Sequence, residues 1–302
     1  MTTPTPQDLN TRFGIPNAAQ ITADPSGHPA VRITTPQCSG EILLHGAQVT
    51  SWKPAGAQEV IFVSSKALYT EGKAIRGGIP ICFPWFRAKS DDRQAPAHGF
   101  VRTKFWTLDS IEQNAGLITV TMSTQTDAET KKWWPHDCRA VLQATFGTGL
   151  KLAFTVTNTG PAPFRFEEAL HTYHSVGDIH RARVSGLDGV SYLDNTKSNI
   201  EKKQSGDVTI SGPTDSAYAT SQSTLAVLDP ANNRRILVAK QNSNTTVVWN
   251  PWIEAAHSMA DFGDDEWQTM LCAEAANIMA NAVDLPPAKS HTIAVTMSVT
   301  PL

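Results

Sequence analysis

Residues 141–157, Val-Leu-Gln-Ala-Thr-Phe-Gly-Thr-Gly-Leu-Lys-Leu-Ala-Phe-Thr-Val-Thr, decide the fold class. After the Gly147-Thr148-Gly149 break, Leu150, Leu152, Phe154 and Val156 alternate with Lys151, Ala153, Thr155 and Thr157, the period of a half-buried strand. The run 141–146 precedes the break, and a short glycine-rich connection between two such runs predicts a hairpin. The pattern continues outward in both directions. Ile118, Val120 and Met122 oppose Thr119, Thr121 and Ser123, while Ile293, Val295, Met297 and Val299 oppose Thr292, Ala294, Thr296 and Ser298. Helical signals are few: Asp127 is placed to cap a short helix over 128–132, stopped by Pro135, and Pro6 suits the first turn of another. Strands separated by turns, with no long helices between them, predict an all-β chain: a large antiparallel β-sandwich with a few short helices. The 302 residues fit one such domain, 1–302, and the polar stretch 195–215 reads as a strand pair or surface excursion within it.

Charge and composition narrow the function classes. With 25 basic and 28 acidic residues, the formal charge of -3 gives no global field for nucleic acid or an anionic membrane, so a bound anion must be held by a local cluster. The first residues lack the basic start and apolar core of a signal peptide and no long apolar run follows, which predicts a cytoplasmic protein. Cys38, Cys82, Cys138 and Cys272 are scattered, without metal-type pairing, and are expected to be buried or idle thiols.

Four segments carry residues suited to chemistry. Arg76-Gly77-Gly78-Ile79-Pro80 leads into Phe83-Pro84-Trp85-Phe86, placing an arginine beside two glycines, where backbone can approach a ligand, and offering flat apolar rings for a sugar. Next comes His98-Gly99-Phe100-Val101-Arg102; the planar forks of Arg76 and Arg102 suit phosphate oxygens, with Arg87, Lys89 and Lys104 as weaker candidates. In Leu170-His171-Thr172-Tyr173-His174, a strand reading puts His171 and Tyr173 on one face and His174 on the other, and histidine is the side chain best matched to proton transfer near neutrality. No nearby residue completes a familiar metal signature around His171 and His174. Finally, Trp249-Asn250-Pro251-Trp252 precedes Met270-Leu271-Cys272-Ala273-Glu274, where Glu274 shares a face with Met270 and Cys272; that apolar setting raises a carboxyl pKa and improves it as a base.

Together with Asp215-Ser216-Ala217-Tyr218, and in this order over about residues 30–300, these blocks resemble the aldose 1-epimerase superfamily, specifically its hexose-6-phosphate mutarotase branch. The resemblance implies a galactose-mutarotase-like β-sandwich with a cleft on the concave face of a long sheet. It implies His171 as general acid and Glu274 as general base, Arg76 and Arg102 toward phosphate, His98 orienting the sugar, and Asp215 and Trp252 as substrate contacts. One departure stands out: Ala97 occupies the place where the family often has glutamine, so one side-chain contact is missing. The expected reaction interconverts the α and β anomers of a hexose 6-phosphate by acid-base ring opening, with no cofactor, no metal, and no nucleic-acid or membrane partner; the oligomeric state is left open, with a monomer favoured. Two other readings stay open at this level: a non-catalytic sugar-phosphate sensor on the same fold, and a glycan-cleaving enzyme.

Overall fold

The computed structural model describes residues 4–219 and 224–302. The deciding hairpin is formed by Cys138–Phe146 and Gly149–Asn158, which pair antiparallel with Phe146 against Leu150. Ala140, Leu142, Ala144 and Phe146 on one strand, with Leu150, Leu152, Phe154 and Val156 on the other, are all buried. Each large side chain removed from water in this way contributes about 1.5–3 kcal/mol, and a one-residue slip would turn the whole set outward, so the register is strongly fixed.

This hairpin lies within a nine-stranded sheet that runs, in spatial order, Val208–Thr209, Arg183–Ser185, Leu225–Asp229, Arg234–Gln241, Ser290–Pro301, Gly149–Asn158, Cys138–Phe146, Leu117–Gln125 and Thr107–Asn114. A second sheet runs Ile200–Lys203, Ser191–Asp194, Thr214–Tyr218, Thr245–Asn250, Met270–Asn277, Glu168–Leu170 and Ile81–Cys82, with Tyr173–Ser175 also on Met270–Asn277. All ladders between these strands are antiparallel. One apolar cluster draws on both sheets, as the sandwich expectation requires. A four-stranded meander, Ala19–Ala23 through Val49–Pro54, adds a further sheet near the N-terminal end.

Two features position the site. Met270–Asn277 is buried along its whole length: Leu271, Ala273 and Ala275 join the core, and the alternate face carries Cys272 and Glu274. Phe83 sits edge-on to Trp134, Phe154 and Phe166 at centroid distances of 5.5, 5.8 and 5.2 Å, which anchors the segment leading to Phe86 and Arg87 in the sandwich core.

Helix content is as sparse as the sequence predicts. Pro6–Phe13 opens with Pro6 in its first turn and a capping box between Thr5 and Asp8. The expected helix over 128–132 shrinks to a 3-10 turn, Thr130–Lys132. Asp127 still accepts a hydrogen bond from the Thr130 N–H at 2.9 Å, but Trp134 is drawn against Phe83 and Phe164, and the chain turns inward before a full helix can propagate. The stretch 195–215 includes the edge strand Ile200–Lys203 of one sheet and the edge strand Val208–Thr209 of the other. All four cysteines are free and buried. Among the described residues no helix is long and apolar enough to cross a membrane.

Candidate active site

His171 occupies a break between Glu168–Leu170 and Tyr173–Ser175, both of which pair with Met270–Asn277. Register is kept across the break, with Leu170 against Ala275 and Tyr173 against Cys272, which sets His171 across from Glu274. The backbone groups released by the break are satisfied elsewhere: the His171 N–H donates to the Pro80 carbonyl and the Tyr173 N–H to that of Gly78, each at 3.0 Å. His171 Nε2 stands 3.4 Å from Glu274 Oε1. His171 Nδ1 and both carboxylate oxygens of Glu274 are buried without a hydrogen-bond partner, an expensive arrangement unless a ligand completes it.

Burial sets the protonation of this pair. It lowers His171 to about 3, assisted by the positive charges of Arg102 and Arg76. It raises Glu274 well above the ordinary carboxyl range, with the Asp215 carboxylate adding to the effect. Both shifts favour the uncharged tautomer, in which the carboxyl holds one proton and the imidazole none. The ring of His171 is fixed by Tyr173, which stacks on it at 4.8 Å and 14°, and by Phe86 at 6.5 Å on a near-parallel plane.

His98 adopts a left-handed conformation, φ 62°, which turns its ring toward Phe86 and His171. Its Nδ1 accepts from the Arg87 N–H at 3.2 Å, so the proton of the neutral ring resides on Nε2, which is left as a donor. Burial, then the Arg102 charge, holds His98 well below its usual pKa and therefore neutral.

Three arginines line the cleft, and their partners differ. Arg76 is clamped by Asp261, from Nη2 to Oδ1 at 3.2 Å, and reaches the Tyr173 hydroxyl at 3.5 Å. Arg87 donates to Asp215 Oδ1 at 2.6 Å and to Asn195 Oδ1 at 3.0 Å, while Asn195 Nδ2 donates to Asp215 Oδ2 at 2.6 Å. Arg102 has no such carboxylate: Nη2 donates to the Ala97 carbonyl at 2.8 Å and Nε is buried without a partner. Burial lowers its pKa, yet a guanidinium stays charged at neutral pH, so Arg102 presents a cation that an anion would complete. Asp261→Asn should remove the charge that holds Arg76 in place and lower stability by about 1 kcal/mol, since the pair is only partly exposed. Urea denaturation checks this, and an unchanged midpoint would mean that the clamp contributes nothing measurable.

The cleft, of about 360 Å³, thus gathers Arg76, His98, Arg102, His171, Asp215 and Glu274 from the sequence expectation. Trp252 is not among its lining residues. Its N–H donates to Asn250 Oδ1 as the chain turns into the helix Trp252–Ser258, and its indole packs on Trp267 at 4.4 Å. Trp249 lines the cleft instead, together with Tyr173, Val247 and Asn195. Strand alternation could have found it, since Val247 and Trp249 share a face and pair with Glu274 and Cys272. Of the flat rings, Phe86 faces the cleft, whereas Trp85 packs on Phe100 and donates to the Pro96 carbonyl. Of the weaker cations only Arg87 belongs here; Lys104 pairs with Asp127, and Lys89 with Asp91. The glycine pair serves packing and not a ligand, because a Cβ at Gly77 or Gly78 would meet the backbone of Val63 or Val49 at 2.5 or 2.6 Å.

Among the described residues the fold assembles one potential metal-binding group that spacing did not reveal, since single donor atoms of His171, Cys272 and Glu274 lie within 4.8 Å of one another. Burial raises the Cys272 thiol well above its usual pKa, so in the metal-free cleft Cys272 is a neutral thiol and not a preformed thiolate ligand.

Residues 29–298 match the aldose 1-epimerase family. A protein of Cenchrus ciliaris provisionally named glucose-6-phosphate 1-epimerase is 36% identical over 294 residues, covering 94% of this chain and 88% of its own. An Escherichia coli K12 protein of the same provisional name is 38% identical over 243 residues, 80% of either chain. Among solved structures, a provisionally assigned mutarotase from Salmonella typhimurium superposes with a TM-score of 0.90 at 28% identity, over 96% of both chains. A galactose mutarotase-like protein from Clostridium acetobutylicum, at 16% identity and a TM-score of 0.72 over 94% of this chain and 98% of its own, shares the fold. Ladder, cleft and sequence matches agree, and the chain belongs to the aldose 1-epimerase family.

Proposed function

We propose that the protein is a hexose-6-phosphate mutarotase in which Glu274 is the general base and His171 the general acid. The observation that carries this is the facing pair itself: an imidazole and a carboxyl 3.4 Å apart, buried, with unpartnered polar atoms on the cleft floor. The anomeric hydroxyl and the ring oxygen are bonded to one carbon, so ring opening needs an acid and a base that reach these two oxygens together. In the charged tautomer, Glu274 takes the hydroxyl proton as His171 gives its proton to the ring oxygen. The ring bond to the anomeric carbon breaks, and that carbon becomes an aldehyde. Rotation about its bond to C2 presents the opposite face, and reclosure returns both protons. Ring opening leaves Glu274 protonated and His171 neutral, the tautomer that burial already favours, so the site is complementary to the open-chain stage. His98 orients the sugar through its Nε2–H, and Asp215, held by Arg87 and Asn195, offers remaining lone pairs to sugar hydroxyls.

The phosphoryl group is assigned to the cationic side of the cleft, where Arg102 lacks a carboxylate partner and Arg76 stands clamped by Asp261. Names borne by the relatives point to the same substrate class, with glucose 6-phosphate as the first compound to try. Glycan cleavage fits less well, since hydrolysis calls for a pair of carboxyl groups flanking the bond and the partner of Glu274 is an imidazole. A mere sensor would have no use for a desolvated acid-base pair. A cytoplasmic monomer acting on a diffusible sugar phosphate, without a nucleic-acid partner, completes the proposal.

Saturation-transfer NMR between anomers tests it on glucose, galactose and mannose 6-phosphates and on free glucose. Fast exchange of at least one phosphorylated hexose, well above free glucose, is expected. Equal rates on free and phosphorylated sugars would remove the phosphate assignment, and absence of exchange on every sugar would remove the mutarotase assignment.

A further inference from the structure

We propose that Arg102, with Arg76, is a specificity-determining residue that acts through His171: with no dianion bound, the two guanidinium groups oppose a positive charge on the imidazole, and a bound phosphoryl dianion lifts that opposition. The substrate's own phosphate then prepares the acid that opens its ring. The inference rests on the assignment of phosphate to these arginines and adds a catalytic consequence to it.

The geometry is that of a dipole in a field. The charged tautomer of the pair places its positive end on His171 and its negative end on Glu274, 3.4 Å apart. Titratable or charged groups around the imidazole come from every neighbouring element: Tyr173 on its own segment, Cys272 and Glu274 across the ladder, Arg76 from the glycine turn, His98 and Arg102 from the following loop. Tyr173 stacks on the His171 ring and its hydroxyl reaches Arg76, so the cationic side begins one ring away from the imidazole. Tyr173 and Cys272 are held neutral by burial, and His98 is neutral. Near Glu274, by contrast, stand Asp215 and its partner Arg87.

After burial, Arg102 and then Arg76 are the strongest influences against a charge on His171. Burial and then Asp215 act against a charge on Glu274, with Arg87 and Arg102 opposing them more weakly. In the empty cleft the two guanidinium charges therefore oppose the His171 end of the charged tautomer, and Asp215 opposes its Glu274 end. Asp261 already offsets Arg76, whereas Arg102 has no carboxylate beside it, which makes Arg102 the main source of the opposing field. A dianion seated there neutralises the cation and leaves a net negative charge on the side of His171, reversing the local field. No proton enters or leaves: one proton moves from the Glu274 carboxyl to the imidazole, and the sugar then discharges the pair. Free sugars fill the same cleft without this effect, so discrimination falls on the chemical step as well as on binding.

A neighbouring charge shifts an ionisable group by about one to three pKa units, so about tenfold or more in rate is at stake. The test supplies the dianion separately from the sugar. Exchange between the anomers of free glucose is measured on the native enzyme with rising phosphite, against sodium chloride of equal ionic strength. We expect phosphite to raise kcat for free glucose about tenfold or more. Arg102→Met, which removes the opposing cation and keeps the volume, should raise the basal kcat for free glucose, abolish the phosphite effect and slow glucose 6-phosphate. A residue that only shapes the pocket could not raise the rate on the free sugar. If phosphite competes with glucose 6-phosphate but leaves kcat for free glucose at its basal value, the inference is overturned while the phosphate assignment stands. If phosphite neither competes nor stimulates, and Arg102→Met slows both sugars equally, the phosphate assignment falls and this inference with it.

Discussion

His171→Asn and Glu274→Gln are each expected to lower anomer exchange on glucose 6-phosphate by about 10²–10⁴-fold, the usual contribution of one acid-base group. Either change is close to isosteric and should leave the fold intact, because His171 and Glu274 make no side-chain hydrogen bonds that hold other elements together. Each replacement puts a neutral amide where a neutral polar group stood, so the unfolding midpoint should change little. Combining the two should cost little more than either alone, since they act as a unit. The pH profile carries the same logic. Burial lowers His171 to about 3 and raises Glu274 well above the ordinary carboxyl range, so the pair holds one proton over the window between the two. Below about 3 a second proton binds and the base is lost; above the raised Glu274 value the single proton leaves and the acid is lost. On free glucose the rate should therefore show no loss where an unperturbed histidine titrates, about pH 6.5, and should fall only above the raised Glu274 value. On glucose 6-phosphate the second ionisation of the phosphate, at about pH 6, adds a loss on the acid side. Folded variants with near-native exchange rates would refute the assignment.

Much of this site was legible because strand chemistry is local. The alternation of Leu150, Leu152, Phe154 and Val156 reads directly as a buried face, and each of those residues is buried. Met270, Cys272 and Glu274 share a face by the same rule, which places a carboxyl in apolar surroundings from the sequence alone. What the sequence could not carry was the direction of the chain where alternation stops. Trp252 follows a proline and swings onto Trp267, while Trp249, three residues earlier and still on its strand, faces the cleft. The partners of the arginines were equally hidden. Asp261 reaches Arg76 across 185 residues of sequence and Arg87 reaches Asp215 across 128, and no spacing rule connects them. That difference in partners is what separates Arg102, with no carboxylate, from two arginines of the same residue type.

The second large effect is expected at Gly99. The turn that carries His98 and Arg102 into the cleft passes close beside the Phe83 backbone: the Phe83 N–H donates to the His98 carbonyl and the Phe100 N–H to that of Phe83, at 3.2 and 3.1 Å. Gly99 has φ +75°, and a Cβ there would lie 1.7 Å from the Phe83 carbonyl oxygen and 2.7 Å from Pro84 N. Neither atom belongs to a flexible side chain, so relief requires one backbone segment to move off the other. Phe83 cannot yield easily, since its ring is buried among Phe100, Trp134, Phe154 and Phe166. Gly99→Ala should therefore cost more than about 4 kcal/mol, a large share of a typical domain's total stability. Gly27 supplies the control: its φ is +88°, but a Cβ there meets nothing within 4 Å. Gly27→Ala carries only the conformational cost of a left-handed residue, about 1 kcal/mol. Denaturant midpoints for the two variants separate clash from backbone preference, and comparable losses would show that the turn and Phe83 can part without disturbing the core. Where Gly99→Ala remains folded, His98 and Arg102 should be displaced together, and anomer exchange should fall even though His171 and Glu274 are untouched.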